Sequence, residues 1–151
     1  MRITTQGDYG LICMLRIAQQ KDRQPVSIQK ISEEEQLSID YIEQLLLKLR
    51  RAGIVKSFRG RVGGYLLARP ASRISIKDII QAVEGSVFDD ICARLKHRGR
   101  MCVPKPKGSC LAKPVWQGLE VKIKDYLNNI TLKSLMDSPK MGLRLAGNKK
   151  K

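Results

Sequence analysis

Residues 38–69 constrain the fold more than any other part of the chain, because a helix pattern there runs straight into a glycine-rich hairpin pattern. Ser38 is a suitable N-cap for the helix, which we expect to run to about Ala52 before Gly53 ends it in a left-handed conformation. Four large aliphatic residues recur at the i, i+3, i+4, i+7 spacing of one helix face: Ile42, Leu45, Leu46 and Leu49. The pattern predicts an amphipathic helix with one buried and one polar face.

A shorter helix is predicted immediately before this one. Ser27 can cap it, Ile28 and Ile31 anchor it, and the pattern breaks at Leu37. Two helices joined by a short turn, the second amphipathic and polar at its start, are typical of the helix-turn-helix. We place this motif at about residues 27–52.

The stretch IVKSFRGRVGGYLLAR, at about residues 54–69, is predicted to form a strand, a basic turn and a second strand. Arg59 and Arg61 are expected at the tip of this hairpin. Three glycines allow tight turning and close approach to another backbone: Gly60, Gly63 and Gly64. A helix-turn-helix followed by a basic hairpin is a winged helix, so the hairpin is the expected wing.

Two further helices are predicted on either side of this motif. Thr5 with Asp8 resembles a capping box at the start of a first helix, which continues to about residue 19. Ser75 with Asp78 gives a second capping box, and it opens a helix that stops at Gly85.

A long helix is predicted from Pro114, which suits a first helical turn, and Thr131 is expected to start a last short helix. The long helix has more apolar surface than a monomer of this size needs, on five residues: Trp116, Leu119, Ile123, Tyr126 and Leu127. Winged helices that read DNA usually work as dimers, which favours a dimerisation helix. The alternative is that it packs on its own domain.

These elements predict a mostly α fold with a small β-hairpin wing, a winged helix-turn-helix plus a long C-terminal dimerisation helix. A chain of 151 residues suits one such domain with short appendages. We divide it into a DNA-binding domain, a cysteine-containing loop, the dimerisation helix with the short last helix, and a basic tail, at residues 1–85, 86–113, 114–137 and 138–151.

The formal net charge of +15 is large enough to attract polyanions, either nucleic acid or an anionic membrane surface. No signal peptide is visible, because Asp8 interrupts any early apolar run, and no stretch is long enough to span a bilayer. We therefore expect a soluble cytoplasmic protein without a membrane partner. No nucleophile–base pairing or cofactor loop indicates an enzyme.

The polar face of the helix at 38–52 offers groups that suit double-stranded DNA. Gln44 can pair bidentately with adenine, and Asp40 can accept from cytosine. Lys48 and Arg51 can neutralise phosphates, and Arg59 on a thin hairpin tip can enter a narrow minor groove. For any one of the residues on the helix, the alternative is an ordinary solvated helix face. The full predicted set is Ser38, Asp40, Tyr41, Gln44, Lys48, Arg51, Arg59 and Arg61.

Three of the four cysteines share one basic loop: Cys92, Cys102 and Cys110. Residues 92–114 contain seven lysines and arginines and no acidic residue. The C-x9-C-x7-C spacing lacks the close pairs of a zinc ribbon, whereas three thiolates and one further ligand fit an anionic iron–sulfur cluster. Nearby cations would favour both the thiolates and the cluster. Cys13, on the apolar face of the first helix, is predicted to be a buried structural cysteine.

Another interpretation of the loop stays open. The chain could be a cluster-free or zinc-binding regulator controlled by thiol oxidation or by a partner protein. His97, the single histidine, could then complete a zinc site with the three cysteines.

Five segments closely resemble the family of winged-helix repressors that includes IscR, NsrR and CymR: MRITTQGDYGLICML, SIDYIEQLLLKLRRAGIV, RGRVGGYLL, AVEGSV and DYLNNITLKSL. The similarity runs from Met1 to about Met136. The resemblance implies a homodimer joined through the long helix and a palindromic operator. For the cluster-binding branch it also implies an iron–sulfur sensor, whose three cysteine ligands correspond to Cys92, Cys102 and Cys110.

The resemblance also bears on the fourth ligand. Lys113 stands where IscR has its ligating histidine, and a protonated lysine cannot coordinate iron. The DYGL segment that begins at Asp8 instead resembles NsrR, in which an aspartate here supplies the fourth ligand from the partner subunit. The resemblance therefore implies Asp8 as a ligand across the dimer, with a 2Fe–2S cluster favoured and a 4Fe–4S cluster as the alternative. The expected function is a dimeric DNA-binding repressor whose DNA affinity depends on the cluster.

Overall fold

The computed structural model of the protein describes residues 4–20, 24–60, 63–85 and 113–137. Within them the elements are, in order, α1 (Thr5–Ala18), α2 (Ile28–Glu35), α3 (Ile39–Arg51), β1 (Val55–Phe58), β2 (Gly64–Leu67), a short 3-10 turn (Ala71–Arg73), α4 (Ile76–Glu84), α5 (Lys113–Asn128) and α6 (Leu132–Asp137). The two strands pair antiparallel as a hairpin. The prediction of a mostly α winged helix is confirmed.

The core is built on the apolar face of α3. Ile42, Leu45, Leu46 and Leu49 are all at most 1% exposed, and they pack with buried residues of α1 and α4. Full burial of one such side chain stabilises a fold by about 1.5–3 kcal/mol. The rotation of α3 about its own axis is therefore firmly set, and its opposite face is left for solvent.

The turn between α2 and α3 gives the helix-turn-helix its geometry. Gln36 adopts a left-handed conformation with φ of 54° directly after α2. The Ser38 hydroxyl then accepts a hydrogen bond from the Tyr41 N–H at 3.4 Å, which caps α3, and Ser27 caps α2 in the same way through the Lys30 N–H. Both predicted N-caps are confirmed.

The predicted Thr5–Asp8 capping box is wrong. The N-cap of α1 is Thr4, whose hydroxyl accepts from the Gln6 N–H at 3.2 Å. Glu84, at the end of α4, accepts from the backbone N–H groups of Thr4 and Gly7 at 2.7 and 2.9 Å. A carboxylate from a distant helix thus satisfies N–H groups that a local box would otherwise serve. The box predicted at Ser75 and Asp78 is confirmed.

The junction between α5 and α6 is hydrogen-bonded to the start of α4. The Ile76 N–H donates to the Ile130 carbonyl at 2.9 Å, and the Leu132 N–H donates to the Ile74 carbonyl at 2.8 Å. Leu132 itself is fully buried. The C-terminal end of α5 is therefore held on the winged-helix core. Among the described helices, none is both long and apolar enough to cross a bilayer.

Candidate nucleic-acid interface

The solvent face of α3 carries four of the eight side chains predicted to contact DNA. Ser38, Asp40, Gln44 and Arg51 are all exposed there. Neutral and acidic side chains occupy the first turns of the helix, and Arg50 and Arg51 lie in its last turn. This polarity suits a helix whose first turns meet base edges while its last turn meets phosphates.

Two residues predicted to contact DNA point toward the body of the domain instead. The half-buried Tyr41 ring meets the Tyr9 ring edge-on, with centroids 5.8 Å apart. The Lys48 ammonium donates to Gln6 Oε1 at 2.6 Å and to the Val83 carbonyl at 2.9 Å. Both lie on the side of α3 that faces α1 and α4. In the DNA-free structure Lys48 therefore links α3 to α1 and α4, and its predicted phosphate contact stays a prediction.

The wing lies beside α3 and is hydrogen-bonded to it. Arg50 Nη1 donates to Ser57 Oγ of β1 at 3.2 Å. Gly64, with φ of 156°, lets β2 pass so close to the extended segment before α2 that a Cβ there would lie 2.4 Å from the Val26 carbonyl oxygen. Arg59 is exposed directly after β1, as expected for the tip. Arg61 lies outside the described residues.

An open groove runs between α3 and the wing, and sequence reasoning missed some of its surface. Its lining includes Glu43, Arg50, Phe58 and Arg59. Arg50 could have been found from its position seven residues after Glu43, which puts the two on one side of the helix. Phe58 was missed because an apolar residue at a strand end is ordinarily assigned to the core. The exposed Ile39, which lies outside the groove lining at the start of α3, was missed for the same reason.

Glu84 joins α4 to the start of α1, near Lys48 of α3. Besides the two N–H groups of α1, its carboxylate accepts from the Thr4 hydroxyl at 2.7 Å. Partial burial raises the pKa of Glu84, but these hydrogen bonds and the nearby Lys48 charge outweigh it, so the pKa lies below the ordinary 4.5. Glu84 is thus a charged cap that links the ends of α4 and α1, close to the lysine of α3.

The predicted cluster ligands are placed only in part. Cys92, Cys102, Cys110 and His97 lie outside the described residues. In the described ranges, no three histidine, cysteine, aspartate or glutamate side chains gather to form a metal site. Asp8 is exposed on the first turn of α1, and among the described residues the cap of this helix is formed by Thr4 and Glu84.

Cys13 is fully buried in the core, as predicted. Burial raises the pKa of its thiol to about 11, and the Glu35 carboxylate adds to this effect. A thiol that stays protonated in an apolar core is neither a metal ligand nor a redox-reactive group at neutral pH.

The long helix α5 splits its apolar residues between two surfaces. Ile123 and Leu127 are half-buried and pack against the core of their own chain. Trp116, Leu119 and Tyr126 are 42–50% exposed, and Val115 and Val121 add further exposed apolar surface. Of the five residues predicted for dimerisation, three therefore lie on a surface open to a partner.

The winged-helix architecture and the sequence together match one known family. The Rrf2 profile, described as an iron-dependent transcriptional regulator, matches residues 3–138. The chain belongs to the Rrf2 family. It is accordingly a DNA-binding transcription regulator, and the family resemblance stated from the sequence is confirmed.

Individual Rrf2 relatives are similar along nearly the whole chain. The protein NMA1593 of Neisseria meningitidis is 39% identical over 144 residues, covering 94% of this chain and 92% of its own. The HTH-type transcriptional regulator IscR of Klebsiella pneumoniae is 38% identical over 138 residues, covering 91% and 81%. The structure of CymR, the global cysteine regulator of B. subtilis, superposes with a TM-score of 0.71 at 33% identity, covering 89% and 95%.

Proposed function

We propose that this Rrf2 chain is a homodimeric repressor that binds a palindromic operator and whose DNA affinity is set by an iron–sulfur cluster held in residues 86–113. The observation that carries the DNA-binding part is the exposed polar face of α3 beside the basic wing, joined by the Arg50–Ser57 hydrogen bond. The cluster part is supported by two observations. Three cysteines lie close together in a cationic stretch of the sequence, and the family that matches is one of iron-dependent transcriptional regulators.

In this proposal α3 lies in the major groove with its N-terminal end toward the base edges. Gln44 pairs with adenine, and Asp40 accepts from cytosine. Arg51 holds phosphate at the other end of the helix. Arg59, with Arg61, reaches the adjacent minor groove from the wing.

The exposed apolar residues of α5 support the dimer. Trp116, Leu119 and Tyr126 lie on a helix that is anchored to the core through Ile123 and Leu127, so the helix can present them to a second copy. A two-fold dimer places two copies of α3 on half-sites one helical turn apart, about 34–36 Å. A palindromic operator follows from that symmetry.

The proposed cluster ligands are Cys92, Cys102 and Cys110 with the carboxylate of Asp8 supplied across the dimer. Three soft thiolates suit iron–sulfur ligation, and the exposure of Asp8 leaves its carboxylate accessible to another subunit. The oxygen donor is weaker than a thiolate, so a bound 2Fe–2S cluster would supply one iron that is more open to attack or exchange. A 4Fe–4S cluster is the alternative.

The contacts of Glu84 and Lys48 support a route from the loop to the DNA-reading helix. Residue 86 follows α4 almost directly, and Glu84 at the end of α4 holds the N-terminus of α1, which carries Asp8. Lys48 of α3 holds the carbonyl of Val83 in the same turn. A displacement of this turn would therefore move both α1 and α3, which is a short mechanical connection.

The second candidate is a zinc-binding or thiol-controlled regulator without a cluster. It is favoured by His97, which lies between the first two loop cysteines and is a ligand suited to zinc. Iron–sulfur charge transfer separates the two candidates, because zinc thiolates do not absorb visible light.

The test is the visible absorption spectrum of anaerobically purified protein, with iron, sulfide and zinc analysis of the same sample. We expect visible charge-transfer bands with iron and sulfide, lost in Cys102→Ala and kept in the control Cys13→Ala. A colourless protein carrying zinc would favour the second candidate. A Cys102→Ala protein with full iron and sulfide would refute the proposed ligand set.

A further inference from the structure

α3 carries one large apolar side chain that its core does not use. Ile39, the first residue of the helix, is 45% exposed, whereas the four aliphatic residues of its apolar face are at most 1% exposed. It lies between the exposed polar residues Ser38 and Asp40. Apolar area left in water at this place can be recovered when an apolar group of a binding partner covers it.

The position of Ile39 on the helix places it on the side of α3 that faces the wing. Ile39, Glu43 and Arg50 are spaced i, i+4 and i+11, so they share one side of α3. Arg50 on that side donates to Ser57 of the wing, and Glu43 lines the groove between them. Ile39 therefore lies on the side of α3 that faces the wing, one turn before Glu43 and outside the lining of the groove.

The charges around Ile39 decide which part of DNA it can meet. Asp40 and Glu43 are acidic, and no cation occurs between Ser38 and Gln44. Phosphates would be repelled from this end of α3, while Arg50 and Arg51 attract them to the other end. The N-terminal end is therefore suited to base edges, and the apolar group that base edges offer in the major groove is the C5 methyl of thymine.

We propose that Ile39 contacts the C5 methyl of one thymine in each half-site and makes that base position specific for thymine. This inference rests on the proposed binding of α3 in the major groove. It adds an apolar contact to the hydrogen-bonding contacts already proposed for Asp40 and Gln44. It also predicts that the operator contains a thymine at a fixed distance from its centre of symmetry.

The test uses the full-length protein and a site selected from random double-stranded DNA. Symmetric pairs of thymines in that site are replaced by deoxyuridine, which removes only the methyl group, and affinity is measured by fluorescence anisotropy. At one pair the wild-type affinity should fall about fourfold per half-site, the effect of one lost buried methyl. In Ile39→Ala this loss should disappear, whereas the control Phe58→Ala, which truncates an equally exposed apolar residue, should retain it.

The ratio of thymine to deoxyuridine affinity within one protein preparation is independent of the fraction of active protein. If no pair shows a loss in the wild type, or if Ile39→Ala keeps the full loss, the methyl contact is wrong while sequence-specific binding stands. If the selection returns no preferred sequence, the proposed function fails together with this inference.

Discussion

Arg59 is the side chain on which sequence-specific binding is expected to depend most directly. It is exposed directly after β1, where a guanidinium can follow a narrow minor groove. We expect Arg59→Ala to weaken binding to the selected site by about 1–3 kcal/mol without changing thermal stability. Arg51→Ala should instead weaken binding to all sequences and reduce the salt dependence by about one phosphate contact. Unchanged specific affinity in Arg59→Ala at moderate salt would exclude the minor-groove role.

Glu84 should contribute stability that depends on pH. Because its pKa in the folded protein lies below the ordinary 4.5, the charged form is favoured by folding. The contribution is therefore complete above the ordinary carboxyl pKa and is lost as pH falls through the lowered value. We expect Glu84→Gln to reduce the free energy of unfolding by about 1 kcal/mol at pH 7, and by progressively less below pH 4.5.

Urea unfolding at several pH values measures this difference. Glu33→Gln removes the same charge from an exposed position of α2 and serves as the control. A Glu84→Gln protein that is as stable as the wild type at neutral pH would show that the cap of α1 does not depend on this carboxylate.

At the residue level, sequence patterns identified the local contacts but not the distant ones. Ser27, Ser38 and the Ser75–Asp78 box were predictable because each cap satisfies N–H groups within three residues. The contacts of Glu84 with Thr4 and of Lys48 with Val83 join residues far apart in the chain, and no spacing rule reveals such pairs.

At the level of elements, the exposed half of α5 is the surface expected to form the dimer. Leu119 is 48% exposed, so its replacement should leave the fold of the chain intact. We expect Leu119→Glu to convert a dimer to a monomer, because the introduced carboxylates would be desolvated at the interface. Sedimentation velocity measures the change, with Gln117→Glu as a control that adds the same charge at another exposed position. A Leu119→Glu protein that still sediments as a dimer would place the interface elsewhere.

The elements themselves were largely predictable from periodicity, and their packing partners were not. The i, i+3, i+4, i+7 pattern gave α3 with its buried face, and Gly63-Gly64 marked the close passage of β2 beside Val26. The apolar pattern of α5 could not assign Ile123 to the core and Leu119 to the open side, because a hydrophobic stripe does not state which neighbour covers it.

For the whole molecule, the positive charge accounts for DNA affinity, and the segment with three cysteines is proposed to regulate it. The net charge of +15 supplies affinity for any DNA, and such affinity falls steeply with salt. Regulation requires in addition that two states of the proposed dimer bind DNA with different affinity. We propose that the two states differ in the cluster, which would act through the last turn of α4, where Val83 and Glu84 contact α3 and α1.

The most direct test compares the affinity of one anaerobic preparation for its selected site before and after a chelator removes the cluster. Fluorescence anisotropy measures the affinity, and iron and sulfide are determined in each sample. If the cluster controls DNA binding, the two dissociation constants should differ by about tenfold or more, the scale of a typical coupling between two sites. Cys102→Ala should show one affinity before and after the chelator. Equal affinities of the wild-type protein with and without a verified cluster would contradict cluster control of DNA binding.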